Sequence, residues 1–350
     1  PSIESEGRIG HDPFSPSEEV CPMPIFSLYP LRFEPILRQL IWGGRRLGTV
    51  LHKPIGEGND YAESWELADY RDAVSVVNEG ELSGTTLRDL VHHRGPEVLG
   101  PGLSGRSQFP LLVKFIDARE VLSVQVHPDD EKGKRLAGDN GKTETWVVVD
   151  AEPGSLIYAG LRPGVTREQF GAAIEDGQVE PLLHRFPARP GDCIMIEAGT
   201  VHAIGAGVLL AEIQQMSDAT FRVFDWGRVG ADGRPRELHI SEAMESTDFA
   251  RGPVNPLIPA RESAGEGNFR EGLSRCPFFA LERWRLSRPA VLGQTDRFTI
   301  LMVMEGCAEV RHAGQGARLA FGQTLLLPAA VGSCEIIPDG EAVVLTCVVP

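Results

Sequence analysis

Pro190-Gly-Asp-Cys-Ile-Met-Ile-Glu-Ala-Gly-Thr-Val-His202 recurs in altered form as Phe321-Gly-Gln-Thr-Leu-Leu-Leu-Pro-Ala-Ala-Val-Gly-Ser333. Each copy has a glycine at its second position and then a short apolar run, which is typical of a turn followed by a buried strand. The first copy ends in His202, a potential metal ligand, whereas the second ends in Ser333, which cannot bind a metal there. Unless the likeness of two β-hairpins is chance, the chain contains two similar units and only the first carries a site.

A second, weaker repeat matches residues 147–154 and 156–160 with residues 302–310. The spacing Gly-x5-Pro-x-Gly-x2-His resembles the second motif of the cupin jelly rolls, from which the first copy departs at Glu197 and the second at Ala330 and Ser333. The resemblance implies a mainly β protein with two cupin-type jelly-roll barrels. A change of sequence period adds a small helical insertion in or beside the first barrel.

Composition changes along the chain predict where the two units begin and end. Residues 1–27 are polar and aperiodic, which predicts a disordered tail. Residues 28–250 form the predicted catalytic, metal-binding cupin domain, with helical insertions at about 84–100 and 165–186 that begin at the N-caps Thr86 and Thr166. A segment rich in Pro, Gly, Arg and Glu predicts a linker at 251–270, before a degenerate cupin domain at 271–350.

The length, net charge and composition of the chain exclude several classes of protein. With 350 residues the chain is long enough for about two domains, and its formal net charge of −15 argues against a nucleic-acid partner. A small phosphorylated substrate remains compatible with that charge, because one or two local cations suffice to bind it. No stretch is apolar enough to span a membrane. Six scattered cysteines without a CxxC pair, and the lack of a visible secretory signal, predict a reducing, cytoplasmic location.

Leu122-Ser-Val-Gln-Val-His-Pro-Asp-Asp130 alternates apolar and polar residues, as a half-buried strand does. Gln125 and His127 therefore project from the same face, either toward solvent or toward a ligand. With Glu144 and His202 they make four side chains of metal-binding chemistry. This mixture of nitrogen and oxygen donors suits one Zn²⁺ per chain, although Mn²⁺, Fe²⁺ or Co²⁺ is also possible.

Several segments along the chain resemble the type I mannose-6-phosphate isomerases in their short bacterial form. They are Phe109-Pro-Leu-Leu-Val-Lys, Ser123-Val-Gln-Val-His-Pro-Asp-Asp130, Gly141-Lys-Thr-Glu144, Ala198-Gly-Thr-Val-His-Ala203, Gln214-Gln-Met-Ser-Asp-Ala-Thr-Phe-Arg-Val-Phe-Asp225 and Pro235-Arg-Glu-Leu-His239. The resemblance covers about 28–350 and is densest over 109–240. It implies a zinc ion held by Gln125, His127, Glu144 and His202, and a catalytic arginine at Arg222.

The resemblance also implies a reaction, the interconversion of mannose 6-phosphate and fructose 6-phosphate through a cis-enediol(ate). Zn²⁺ would polarise the carbonyl group, and Arg222 would stabilise the negative charge that develops on the substrate. Glu212 is our candidate for the base; alternatively it is a strand-end carboxylate paired with Arg222 or a lysine.

The phosphate group requires cations, for which Lys142, Arg228 and Lys114 are the candidates near the barrel mouth. Each of the three could equally be a solvated surface charge. We expect the protein to act as a monomer or a weak homodimer. The competing hypotheses are an isomerase of another aldose or aldose phosphate, and a non-catalytic bicupin that binds sugar phosphates.

Overall fold

The computed structural model describes residues 27–230 and 233–350. The predicted tail at 1–27 lies outside these residues except for Ser27. The structure is mainly β, with two units of jelly-roll type, which confirms the predicted fold class. The expected barrels are facing open sheets, because the ladders of the described residues do not close on themselves. None of the helices within the described ranges is long and apolar enough to cross a membrane.

The first unit contains two antiparallel sheets. Its strands are β1 (Ile36–Gly44), β2 (Tyr61–Leu67), β3 (Asp69–Tyr70), β4 (Ala73–Val74), β5 (Leu111–Ala118), β6 (Val124–Val126), β7 (Glu144–Ala151), β8 (Leu156–Leu161), β9 (Leu183–Pro187), β10 (Cys193–Ile196), β11 (His202–Ile204), β12 (Val208–Gln215) and β13 (Phe221–Phe224). The larger sheet has the order β1-β2-β5-β12-β7-β10 and the smaller one β13-β6-β11-β8-β9, while β3 and β4 pair separately.

The second unit follows with longer strands. They are β14 (Arg261–Ser263), β15 (Phe269–Arg275), β16 (Ala280–Leu286), β17 (Ala290–Gly293), β18 (Thr299–His312), β19 (Gln315–Ala320), β20 (Thr324–Leu327) and β21 (Ser333–Val348). Strand β14 falls inside the segment predicted as the linker 251–270, and the predicted domain boundaries stay a prediction.

The pairing of the second unit repeats that of the first, strand for strand. The ladder β14-β15-β16-β21-β18-β20 corresponds to β1-β2-β5-β12-β7-β10, and β17-β21-β18-β19 corresponds to β6-β11-β8-β9. In the second unit the single strand β18 corresponds to both β7 and β8, and the single strand β21 corresponds to both β11 and β12. Among the described strands, β13 has no counterpart there. The repeat seen in the sequence is therefore a repeat of topology.

Helices occur mainly as insertions in the first unit. They are α1 (Arg46–Thr49), α2 (Leu87–Leu99), α3 (Asp130–Lys132), α4 (Arg167–Glu175) and α5 (Ile240–Ser246). Thr86 caps α2 and Thr166 caps α4, as the sequence predicted. Thr166 also forms a capping box with Gln169. The second predicted insertion, 165–186, is too long: its last residues belong to β9, whose backbone pairs with β8.

The apolar residues form layers on either side of the larger sheet. One face carries Phe115 and Ile213, whose cluster continues into the second unit through Met302 and Leu345. The opposite face looks toward the smaller sheet, whose outer side is covered by α4 and α5. The space between the two sheets of the first unit, here called the first cup, is therefore held between a shared core and a helical cover.

A buried ion pair joins the segment between α1 and β2 to β2 itself. Lys53 Nζ lies 2.6 Å from a carboxylate oxygen of Glu66, and the two side chains are 7% and 6% exposed. The second oxygen of Glu66 accepts a hydrogen bond of 2.6 Å from Ser64. Replacing Lys53 by Met leaves a buried carboxylate without its cation.

We therefore expect Lys53→Met to lower the free energy of unfolding by about 3–5 kcal/mol, because an unpaired buried charge costs more than the pair contributes. The double variant Lys53→Met/Glu66→Gln removes that charge and should recover a large part of the loss. Denaturant titration of both variants checks this. A single variant within about 1 kcal/mol of the unmodified protein contradicts the expectation.

Candidate metal centre and active site

Three of the four expected ligands come together in the first cup. The antiparallel register places Gln125 of β6 opposite His202 of β11, and Ile196 of β10 opposite Glu144 of β7. Donor atoms of His127, Glu144 and His202 all lie within 4.8 Å of one another, and the three residues are buried. Residues far apart in sequence thus meet because the smaller sheet faces the end of the larger one.

The imidazoles of His127 and His202 are held in the tautomer that leaves Nε2 without a proton. His127 Nδ1 donates to the carbonyl of Ala219 and His202 Nδ1 to that of Thr200, both at 2.9 Å. Each Nε2 atom therefore carries a lone pair, and these atoms lie 3.4 and 3.5 Å from the oxygens of Glu144. Backbone carbonyls that orient imidazoles in this way are typical of metal-binding histidines.

Burial keeps both imidazoles neutral. It lowers the pKa of His202 to about 3, helped by the neighbouring His127. It also lowers the pKa of His127, and the Lys142 ammonium adds to that effect. A neutral imidazole is the form that binds a metal, so protons compete little for these two nitrogens.

Glu144 supplies the anionic donor. Neither of its buried oxygens meets hydrogen-bond geometry with a described residue, although Lys142 Nζ lies 3.0 Å from Oε2. Burial would raise the pKa of Glu144, but the Lys142 ammonium and His127 outweigh it and hold that pKa well below its usual range. A buried carboxylate without hydrogen bonds beside two free Nε2 atoms fits a divalent cation of the zinc type.

Gln125 lies at the edge of this group. Its amide nitrogen is 3.3 Å from His202 Nε2, and its amide oxygen is 3.3 Å from the Ser123 hydroxyl. A half-turn of the carboxamide exchanges the two atoms and points the oxygen at the same place. Gln125 thus lies beside the group, and its role as a fourth ligand stays a prediction.

The structure places Lys142 and Lys114 inside the cup and not at its mouth, where the sequence-based hypothesis had them. Lys142 Nζ lies 3.1 Å from His127 Nε2, and Lys114 Nζ lies 3.0 Å from Glu212 Oε1. Both lysines are buried. Burial would lower the pKa of Lys114, but Glu212 and Glu63 outweigh it and raise that pKa.

Glu212 is buried in the same cup. Its register neighbours are Lys114 and Trp146, and the Trp146 indole N–H donates to Glu212 Oε2 at 2.7 Å. Its Oε1 atom is 3.9 Å from Lys142 Nζ. Burial raises the pKa of Glu212, and the nearby Glu144 raises it further. Glu212 pairs with a lysine and not with Arg222, yet it retains the position and the raised pKa that suit a base.

Arg222 reaches the cup from the edge strand β13. It lies opposite Gln125 in the ladder, so the two side chains share a face. Its Nε–H donates to the Ser123 hydroxyl at 3.2 Å, and one terminal N–H donates to the Glu237 carbonyl at 2.8 Å. Arg222 therefore presents a positioned cation beside the proposed ligands.

Arg228 belongs to a small cationic cluster just beyond Arg222. The Asp225 carboxylate accepts hydrogen bonds from Arg228 at 2.5 Å and from Arg236 at 2.7 Å. Burial would raise the pKa of Asp225, but the two guanidinium groups outweigh it and lower that pKa. Two guanidinium groups share one carboxylate, so the cluster keeps excess positive charge.

Sequence reasoning did not identify Trp146, Ser123 or Arg236 as parts of the site. Arg236 lies in the segment 235–239 that carried the family resemblance, so its charge was a usable signal. Trp146 follows Glu144 by two residues and therefore shares its face of β7. Ser123 likewise shares the face of Gln125.

Comparison with known families gives two matches. The family described as phosphomannose isomerase type I, catalytic domain, matches residues 31–147, and the one described as mannose-6-phosphate isomerase, cupin domain, matches residues 271–347.

Similar whole proteins are also found. The mannose-6-phosphate isomerase ManA of Bacillus subtilis (strain 168) is 35% identical over 325 residues, which cover 90% of this chain and 98% of the relative. The mannose-6-phosphate isomerase of Streptococcus mutans is 34% identical over 90% of this chain and 97% of its own.

Two solved structures show the same arrangement. The mannose 6-phosphate isomerase from Bacillus subtilis superposes with a TM-score of 0.83 at 29% identity, over 91% of this chain and 99% of that one. A putative mannosephosphate isomerase from Archaeoglobus fulgidus reaches 0.74 at 22% identity, over 91% and 98%, and shares the fold.

The lowered pKa of His202 predicts a pH dependence for the metal-free protein. Because the imidazole binds a proton in the unfolded chain but not in the folded one, the free energy of unfolding should fall as pH drops below about 6.5. The slope is about 1.4 kcal/mol per pH unit for this residue, down to the folded pKa of about 3. Denaturant titration of the chelator-treated protein at several pH values measures it.

His202→Asn should make this pH dependence shallower, because asparagine takes up no proton. His93→Asn, at an exposed position of α2, serves as the control and should leave the slope unchanged. Equal slopes for all three proteins would show that His202 is not held neutral by burial.

Proposed function

The chain belongs to the type I phosphomannose isomerase family, and we propose that it interconverts mannose 6-phosphate and fructose 6-phosphate at the first cup. The observation that carries the proposal is the buried Glu144 carboxylate, which pairs with Lys142, forms no hydrogen bond with a described residue and lies beside the unprotonated Nε2 atoms of His127 and His202. An aldose–ketose isomerisation needs a polarised carbonyl, a base and a cation for the enediolate. The first cup contains groups suited to all three.

We infer that one divalent cation, zinc, is held by His127, Glu144 and His202, with Gln125 as a fourth ligand. When bound, such an ion supplies a Lewis acid for the substrate carbonyl group. The two neutral nitrogens, one carboxylate and one amide match the donors that zinc accepts. The remaining steps belong to side chains of the chain itself.

We assign proton transfer to Glu212. It removes the proton from C2 of mannose 6-phosphate and returns it to C1, while the hydroxyl proton on O2 moves to O1 and C2 becomes the ketone. The reverse reaction uses the same carboxyl group. Burial raises the pKa of Glu212, so the carboxylate is a stronger base than a solvated glutamate. Lys114 and Trp146 hold its two oxygens in place.

Arg222 and Lys142 are the cations that face the reacting carbons in this proposal. As the enediolate forms, negative charge develops on the substrate oxygens, and positioned N–H donors stabilise it. Arg222 keeps its charge at any physiological pH, which suits this role. Lys142 lies between the ligand group and Glu212, where its ammonium can hold a sugar oxygen.

We assign the phosphate group to the cluster of Arg228, Arg236 and Asp225, with Arg222 at its inner side. Guanidinium groups bind phosphate oxygens in pairs, and the cluster has more cations than anions. Lys114, an earlier candidate for this role, lies deeper and contributes to substrate binding through Glu212.

We further propose a cytoplasmic monomer or weak homodimer. The support for the location is chemical, because charged sugar phosphates do not cross a lipid bilayer and their enzymes work where they are made. Sedimentation of the purified protein measures its state of association.

Removal of the metal should abolish turnover. A coupled assay of mannose 6-phosphate conversion should show activity that is lost with a chelator and restored by Zn²⁺. His202→Ala should lower kcat/KM by about 100-fold or more and reduce the bound metal. Ser333→Ala changes the matching position of the second unit and should change neither.

Turnover that survives the chelator would refute the metal-dependent mechanism. Intact metal content in His202→Ala would refute the assignment of His202 as a ligand. A substrate panel in the same assay tests the alternative of another aldose or aldose phosphate.

Glu212→Gln should lower kcat by about 10²–10⁴-fold, because the amide cannot accept the proton. Metal content should stay near that of the unmodified protein, since Glu212 is not a proposed ligand. Exchange of the C2 proton with solvent, followed by NMR, should stop together with turnover. If the exchange continues at its normal rate, another group is the base.

A further inference from the structure

The second unit contains a cavity of about 390 Å³ between the β16–β21 ladder and the strand β17 with the loop that follows it. Its lining includes Arg275, Glu282, Trp284, Arg297, Thr299 and Thr346. We call this cavity the second cup. None of the roles assigned above uses it.

The ladder registers show that the second cup occupies the place of the first. Glu144 begins β7 and lies opposite Ile196, the last residue of β10. Thr299 begins β18 and lies opposite Leu327, the last residue of β20. Thr299 is therefore the topological counterpart of the ligand Glu144.

A further residue pair in each unit agrees with this correspondence. Glu282 lies opposite Thr346 in the second unit, where Lys114 lies opposite Glu212 in the first. Glu282 and Thr346 both line the cavity. The base and its lysine partner in the first cup are thus matched by two polar side chains in the second.

The strands of the smaller sheet correspond in the same way. Gly293 pairs with Ser333 where Gln125 pairs with His202. The second unit thus carries a hydroxyl group and a glycine in place of two ligands. Within 27–230 and 233–350, the group in the first cup is the one cluster of His, Cys, Asp or Glu side chains with metal-binding spacing.

The second cup contains three arginines although the chain is acidic. Arg270, Arg275 and Arg297 line it together with a single acid, Glu282, while the formal net charge of the whole chain is −15. Arg270 pairs with Glu262 and with Glu282 of the cup itself, and Arg297 pairs with Asp296. Arg275 makes no ion pair with any residue that the structure describes. Its charge is available to an anion.

The floor of the cup offers an aromatic ring and a hydroxyl without a partner. Trp284 is half-buried and donates its indole N–H to the Thr346 hydroxyl at 3.2 Å. Thr299 is 2% exposed, and its Oγ1 atom has no hydrogen-bond partner among the described residues. Thr299 lines the cavity, and a rotation about its χ1 would turn this hydroxyl toward a ligand, from which it would gain a hydrogen bond.

We propose that the second cup binds a small sugar phosphate without a metal ion. The sugar ring lies against Trp284, its hydroxyl groups meet Thr299 and Glu282, and its phosphate group meets Arg275 at the mouth. The choice of a sugar as the phosphate carrier rests in part on the proposed function, because the substrate and product of the first cup are sugar phosphates. The partly aromatic cup, with Arg275 unpaired among the described residues, stands on its own geometry.

The test uses ¹⁹F NMR of the full-length enzyme labelled with 5-fluorotryptophan. The chain has five tryptophans, of which Trp146 reports on the first cup and Trp284 on the second. Phenylalanine variants of these two assign their resonances. The probe is glucitol 6-phosphate, which has no carbonyl group and cannot be isomerised. We expect a saturable shift of the Trp284 resonance.

Two matched pairs of variants locate the binding. Thr299→Val should raise the Kd of the probe about fivefold, and Arg275→Gln should raise it by a similar factor or more. Thr324→Val removes another buried hydroxyl without a partner, outside the cavity lining, and should have no effect. Arg288→Gln removes an exposed charge of the same unit and should also have none.

A Trp284 resonance that does not move up to about 10 mM probe, well above common KM values, overturns the proposal. Inorganic phosphate that binds as tightly as glucitol 6-phosphate overturns the recognition of the sugar. Either result can occur in an enzyme that turns over mannose 6-phosphate normally. Loss of turnover with an intact Trp284 shift refutes the proposed function alone.

Discussion

The first cup depends on a balance of buried charge. Glu144 and Glu212 contribute two negative charges, and Lys114 and Lys142 contribute two positive ones, in a space from which water is largely excluded. An isolated charge there would cost several kcal/mol, so the four groups are tolerable only together. A divalent cation on the neutral imidazoles then gives the cup spare positive charge. That surplus suits a substrate on which negative charge develops during the reaction.

Such a balance requires rigid strands, because a shift of one residue in a ladder turns a side chain to the opposite face. The larger sheet supplies Lys114, Glu144 and Glu212, and its other face packs on the shared apolar core. Arg283 of the second unit also donates to the carbonyl of Gly191 beside β10. The second unit therefore supports the sheet that positions most of the charged groups.

Sequence reasoning could predict that His127, Glu144 and His202 lie together, but not how deeply they are buried. Either histidine alone is more often structural, and they stood out only because they fall together in the cupin spacing. Lys114 and Lys142 appeared to be mouth residues, because a charged side chain is usually exposed and a sequence does not show the carboxylates that make burial tolerable. The hydrogen bond from Trp146 to Glu212 joins two strands 66 positions apart and has no local signal. Arg236 lies in a segment that carried the family resemblance, but the sequence does not show that it shares the Asp225 carboxylate with Arg228.

The two cups show how one topology can hold different chemistry. Where the first has Glu144, the second has Thr299, a neutral group that needs no charge balance. The second unit can therefore form a continuous apolar core with few buried ions, and this stability supports the first. The second cup has a buried hydroxyl with no hydrogen-bond partner and an exposed arginine with no ion pair among the described residues. A buried hydroxyl is rarely left unsatisfied in a protein interior, which supports our proposal that the second cup retains a capacity to bind.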